Sequence, residues 1–163
     1  MKQIDAVANK IFTLPSLMAT LFGWRLKGLT ISFTNGCFDI LHEGHISSLS
    51  QAASEADILI VGVNSDASTK RLKGNERPIN NENSRSLLLA SLAIVDAVVL
   101  FEEDTPFNLI STILPDTLVK GGDYTIEQIV GAKEVIANGG RVVINPIVLG
   151  FSTTSIIEKI RKL

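Results

Sequence analysis

Thr34-Asn35-Gly36-Cys37-Phe38-Asp39-Ile40-Leu41-His42-Glu43-Gly44-His45 is the stretch whose reading decides the fold. Ahead of it, Leu29-Thr30-Ile31-Ser32-Phe33 is an apolar run that reads as a buried strand. Behind it, Ile46-Ser47-Ser48-Leu49-Ser50-Gln51-Ala52-Ala53 reads as an amphipathic helix. The stretch is therefore a strand-to-helix turn. Such a turn aims free backbone N–H groups, and the positive end of the helix dipole, at whatever lies above the sheet. His42-x-Gly-His45 puts two imidazoles three residues apart on one face of the first helical turn. Gly44 lacks a Cβ, so a ligand can approach the backbone closely. This assembly suits a polyphosphate. One histidine alone would be read as a packed or surface residue. These are the chain's only two, in one turn beside a glycine, and packing explains them less easily.

Outward from the turn, strands and helices alternate. Ile58–Val63, Asp96–Phe101, Thr117–Lys120 and Arg141–Asn145 follow the first strand as further β-branched runs. Continuous apolar runs, rather than alternation, indicate parallel strands covered on both faces. Helical segments fall at about 43–55, 82–94, 105–113, 126–139 and 153–162. The expectation is a doubly wound (Rossmann-like) α/β fold with a five-stranded parallel sheet, spanning residues 29–163. Residues 1–28 form an N-terminal helical appendage, capped by Thr13, with Pro15 in its first turn and Lys27-Gly28 at its end. In such sheets ligands sit at the carboxyl ends of the strands. Thr34-Asn35, Asn64-Ser65-Asp66, Glu102-Glu103-Asp104, Lys120-Gly121-Gly122-Asp123 and Asn145-Pro146 stand there, and most of these residues are polar.

The 163 residues fit one domain, 45% hydrophobic and 20% charged, which is a globular composition. A net charge of −2 provides no general field for nucleic acid, so an anion must be held by local cations. The single cysteine, Cys37, excludes an internal disulfide and reads as a small buried residue. The apolar run from Ile11 to Trp24 is interrupted by Pro15 and lacks a small-residue cleavage site, so it is not read as a signal peptide. No stretch reaches the length of a membrane span. The expected location is the cytoplasm.

Thr69-Lys70-Arg71-Leu72-Lys73-Gly74-Asn75-Glu76-Arg77-Pro78 holds four cations between glycine and proline breaks. A solvated basic loop explains each cation singly. As a group beside a phosphate site they read as a mobile lid. Arg85, in the first turn of the next helix, has a helix-surface reading of equal weight. Gly121 and Gly122 after a strand permit close contact with a flat ligand; Asp123 can accept from a ribose or base, and Lys120 can hold a phosphate. Ser152 or Thr153 can cap the last helix, and hydroxyls at a helix start, Thr154 included, also bind phosphate.

Thr34–Asp39 followed by His42-x-Gly-His45 resembles the cytidylyltransferase-like nucleotidyltransferases. With Lys120-Gly121-Gly122-Asp123-Tyr124 and Arg77-Pro78-Ile79, the likeness narrows to the D-glycero-β-D-manno-heptose 1-phosphate adenylyltransferases and covers about residues 13–162. Cytidine enzymes carry an arginine shortly before Gly-x-Ser-Thr, where this chain has Pro146-Ile147-Val148-Leu149-Gly150, and that departure favours ATP. The resemblance implies attack by the sugar phosphate on ATP, with Mg²⁺ bridging the phosphates, as a step towards ADP-heptose for the lipopolysaccharide core. It implies catalytic roles for His42, His45 and one of Lys70 and Lys73. Nucleotide contacts are implied for Thr34, Asn35, Gly36, Phe38, Asp39, Gly44, Lys120, Gly121, Gly122, Asp123, Ser152, Thr153 and Thr154. Arg77 and Arg85 would meet the substrate phosphate, and the metal's ligands are not identified. A homodimer with small-molecule substrates, and neither nucleic acid nor membrane, completes the expectation. A glycerol-3-phosphate or phosphoethanolamine cytidylyltransferase is the alternative within the fold; a non-catalytic nucleotide-binding module is the alternative outside the enzyme class.

Overall fold

The computed structural model describes residues 4–146 and 150–163. The chain opens with short 3-10 turns, then β1 (Ile11–Phe12), α1 (Leu14–Leu26), β2 (Ile31–Gly36) and α2 (Glu43–Ala53). β3 (Ile58–Asn64), α3 (Asp66–Lys73), α4 (Glu82–Ala90), β4 (Ala97–Phe101) and α5 (Phe107–Ile113) follow. β5 (Thr117–Gly121), α6 (Ala132–Ala137), β6 (Arg141–Asn145) and α7 (Thr153–Arg161) complete it.

The strands form one parallel sheet in the order β1-β4-β3-β2-β5-β6. Among the described residues the sheet has six strands, not the expected five. The extra one is β1, where Ile11 and Phe12 pair with Val98 and Val99 at the edge. Two residues are too few to show a period, so it has no sequence signature.

The pleat sorts the continuous apolar runs onto two covered faces. Phe33, Ile60, Ala97, Val99 and Leu118 meet Leu17 and Leu21 of α1, Leu109, Ile110 and Ile113 of α5, and Ala132 and Val135 of α6. Leu59, Val61, Val63, Val98 and Val119 meet Leu49 and Ala52 of α2 and Leu89 and Ala90 of α4. Gly62, between these layers, is held small: a Cβ there would lie 2.8 Å from the Phe33 ring. Helix α1 thus buries two leucines in the core of the sheet. Its Thr13 cap and the left-handed Gly28 after its end match the sequence signals.

Other boundaries moved for local reasons. The basic segment expected to be a loop begins as helix α3, because Ser65 Oγ accepts from Ser68 N at 3.1 Å and caps it. Lys70, Arg71 and Lys73 complement the negative end of its dipole. The helix expected at 126–139 is a 3-10 turn, Ile126–Gln128, and α6; Gly131 divides them at φ 83°.

From β2 the chain winds through β3 to β4 on one side, then returns to β5 and β6 on the other. The winding direction reverses between β2 and β5, and the Gly36–His45 turn leaves the sheet there, at the place where such folds bind ligands.

Candidate active site

Thr34, Asn35 and Gly36 belong to β2, so the turn proper begins at Cys37. Phe38 and Ile40 adopt left-handed backbone angles, φ 50° and 53°, which cost of order 1–2 kcal/mol each for residues with a Cβ. The contacts of Asp39, between them, hold the turn. Its buried carboxylate accepts from Arg77 Nε at 2.7 Å, Ile79 N at 2.8 Å and Asn80 N at 3.0 Å. Its carbonyl accepts from Thr153 Oγ1 at 2.6 Å. One residue therefore joins the turn, the basic segment and the start of α7. Burial pushes the Asp39 carboxyl up, but the Asn80 and Ile79 N–H groups and Arg77 outweigh it and hold it below its ordinary value.

His42 is the N-cap residue of α2 and its ring folds back over the helix start. A Cβ on Gly44 would lie 3.1 Å from that ring and 3.2 Å from Phe151. Gly44 therefore makes room for the chain's own histidine, a use that spacing alone does not reveal. The rings of His42 and His45 stack with centroids 3.8 Å apart and 24° between planes. Phe38 braces His45 from 5.5 Å. Both Nδ1 atoms are buried without a hydrogen-bond partner among the described residues. Burial lowers the His42 pKa. Burial, then the like charge of His42, lowers His45 to about 4, with Asp39 opposing. Near neutral pH both rings are uncharged hydrogen-bonding groups.

Above them lies a cleft of about 660 Å³, within the range of small-molecule sites. Two carboxylates line it, and both are engaged: Asp39 with Arg77, and Asp104 with Arg71 at 2.6 Å. Lys73 and Lys120 line the same cleft with no carboxylate partner among the described residues. Lys120 Nζ donates to Asn35 Oδ1 at 3.2 Å. Burial lowers its pKa, Cys37 opposes, and Lys73 adds to the lowering. The geometry fits an anion with a flat apolar end, because Tyr124, Ile129 and Phe151 line the walls. No cluster of three or more His, Cys, Asp or Glu side chains suited to a metal occurs among the described residues.

A family model described as cytidylyltransferase-like matches residues 33–159. The bifunctional protein HldE of Rhodospirillum rubrum is 51% identical over 159 residues, covering 98% of this chain and 32% of that protein. The bifunctional protein HldE of Nitrobacter winogradskyi is 58% identical over 139 residues, covering 85% of this chain and 28% of that protein. The chain spans about a third of the length of these curated relatives. Among solved structures, a lipopolysaccharide core biosynthesis protein from Thermoplasma volcanium aligns with a TM-score of 0.59 at 33% identity, covering 74% of this chain and 98% of that one. Pantothenate synthetase from Thermus thermophilus aligns with a TM-score of 0.61 at 17% identity, over 94% of this chain and 70% of that one, a likeness of fold alone.

This chain belongs to the cytidylyltransferase-like family.

In this cytidylyltransferase-like chain, the cleft gathers Asn35, Gly36, Phe38, Asp39, His42, His45, Lys73, Arg77, Lys120, Ser152, Thr153 and Thr154 from the expected site residues. Others stand apart. Thr34 is buried within β2, and Gly44 lies behind the His42 ring. Lys70 is exposed and does not line the cleft, so of the two candidate lysines Lys73 is the one at the site. Arg85 is fully buried and hydrogen-bonded to the protein. Gly121, Gly122 and Asp123 are not in the wall; Gly122, at φ 130°, makes room for the Tyr124 ring, which is. Ser152 Oγ caps α7, accepting from Ser155 N at 3.0 Å. Cys37, expected to be buried, is partly exposed in the cleft. The departure at 146–150 lies largely outside the described residues. Asn64, Thr105, Pro106 and Gln128 also line the cleft. Asn64 stood in a polar set after a strand; Gln128 ends the 3-10 turn that follows β5, where its side-chain oxygen accepts from Thr125 N at 2.9 Å.

Proposed function

We propose that this chain is an ATP-dependent adenylyltransferase acting on a sugar 1-phosphate. The observation that carries it is the stacked His42–His45 pair at the switch point, beneath a cleft edged by Lys73, Arg77 and Lys120. The substrate is D-glycero-β-D-manno-heptose 1-phosphate. Support comes from the identity to the HldE proteins and from the likeness to a lipopolysaccharide core biosynthesis protein.

The chemistry is an in-line displacement. An oxygen of the sugar phosphate forms a bond to the α-phosphorus of ATP as the bond to the bridging α–β oxygen breaks. ADP-heptose forms and pyrophosphate leaves with the electron pair. The attacking phosphate is already anionic, so no side chain needs to serve as nucleophile. Positioning and charge stabilisation supply the rate. His42 and His45 donate hydrogen bonds to phosphate oxygens whose charge grows in the transition state. Lys73 and Lys120 neutralise the triphosphate and the departing pyrophosphate. Mg²⁺ has no ready-made cluster of ligands among the described residues. It would enter on the triphosphate's own oxygens, as is usual for that ion.

A cytoplasmic homodimer belongs to the same proposal; no helix among the described residues is long and apolar enough to cross a membrane. The deciding assay is pyrophosphate release with ATP and CTP crossed against heptose 1-phosphate and glycerol 3-phosphate. ATP with the heptose phosphate should turn over fastest. Faster turnover of CTP with glycerol 3-phosphate would replace the substrate, and nucleotide binding with no pyrophosphate in any combination would replace the enzyme.

A further inference from the structure

Arg85 is the largest fully buried side chain among the described residues. A buried charge with a single, partly exposed carboxylate partner is poor value for stability, since apolar replacements of such groups are often neutral or stabilising. Its hydrogen bonds suggest another use. Nη1 donates to the Cys37 carbonyl at 2.5 Å, immediately before the first left-handed residue of the turn. Nε donates to the Asn80 carbonyl at 3.0 Å, and Asn80 N in turn donates to Asp39. Nη2 donates to Asp66 Oδ1 at 2.8 Å, in the first turn of α3. The left-handed turn is thus held on both sides of Phe38, by Arg85 at the Cys37 carbonyl and by Asn80 at Asp39.

We propose that Arg85 is a positioning residue: its buried guanidinium sets the turn that carries His42 and His45, and the start of the helix that carries Lys73. Arginine is required because three acceptors on separate segments need a fork, whereas a lysine offers a single point. Arg85 itself does not line the cleft; it reaches the wall from behind, at the Cys37 carbonyl.

The test uses two variants of the full chain, Arg85→Lys and Asp66→Ala, each measured well below its own Tm. Cys37 is the only cysteine, so its labelling by an aromatic disulfide reagent reports the turn without any need for activity. In Arg85→Lys, labelling should run about tenfold faster, because local opening of the turn becomes easier. In the same variant kcat should fall by about 10²-fold, the scale of a small misplacement made at a distance from the reacting atoms. The KM for ATP should change much less, because the lost interactions act in the transition state. Asp66→Ala frees one arm of the fork at a partly exposed residue, and should move both readouts in the same direction by less. If Arg85→Lys does not fold, Asp66→Ala decides. A lowered Tm with wild-type labelling and wild-type kcat would overturn the proposal, since that is the signature of a purely structural cation. The kinetic arm rests on the adenylyltransferase activity proposed above. If the wild type releases no pyrophosphate, that activity fails while the labelling arm still decides the role of Arg85.

Discussion

His45 binds protons differently in the folded and unfolded chain. Its pKa falls from 6.5 to about 4 on folding. Between those values the unfolded chain holds a proton that the folded chain lacks, so stability rises with pH across that window. His42, lowered by burial, acts in the same direction. Asp39, held below its ordinary value of 3.8, stays charged throughout the window, and its contribution is lost only at more acid pH. The Tm of the unliganded protein should therefore drop as pH is lowered from 7 towards 4.5, and His45→Asn should flatten that slope; a level Tm in wild type would mean solvated rings. The same residue governs rate. Losing one preorganised donor costs roughly 10²–10³-fold in kcat. His45→Ala should show that loss near neutral pH while remaining folded, and His45→Asn, which keeps a donor, should recover part of it. A folded His45→Ala enzyme with nearly wild-type kcat would place the ring outside the reaction.

At the scale of elements, α3 and the segment after it turn four cations that look equivalent in sequence into three separate roles. Arg71 is spent on Asp104, Arg77 on Asp39, Lys70 faces solvent and Lys73 faces the cleft. Lys73→Ala should raise the triphosphate KM by roughly tenfold, the loss of a partly exposed charge-assisted contact. Lys70→Ala should leave it nearly unchanged. Steady-state kinetics on both single variants decides, and equal effects would mean that α3 shifts when nucleotide binds. The cations were legible in the sequence, but their division was not. Helical geometry turns neighbouring residues through 100°, and which side meets the cleft depends on where Ser65 starts the helix and how α3 sits on the sheet. The Gly44 position makes the same point. Its lack of a side chain was visible, whereas the ring of His42 that fills the space depends on χ angles that spacing does not encode.

For the whole molecule, the first 28 residues are the informative case. As a sequence they read as a helical appendage that packs against the sheet or a second subunit; in the structure β1 extends the sheet and Leu17 and Leu21 are buried in its core. Leu21→Ala should cost about 2–5 kcal/mol, a large part of the roughly 5–15 kcal/mol that stabilises a typical domain. Chemical denaturation measures it directly, and a cost below 1 kcal/mol would mean that α1 contributes little to the core. The opposite side of α1 exposes Phe22 and Leu26. If the proposed homodimer uses that face, Phe22→Glu with Leu26→Glu should give monomers by sedimentation without loss of fold; an unchanged dimer would place its interface elsewhere.

The amino-acid sequence alone determined the parallel α/β class and the turn on which the site is built. Both follow from local causes: β-branched runs favour covered strands, and two histidines around a glycine have few other uses at a helix start. It also determined the family, through motifs that survive in order along the chain. Tertiary structure decided which lysine faces the cleft, that Arg85 braces the turn from within, and that the N-terminal segment is core. Each of those depends on segments distant in sequence meeting in the fold, as Ile11 meets Val98 and Arg85 meets Cys37, so that position, not residue type, assigns the role.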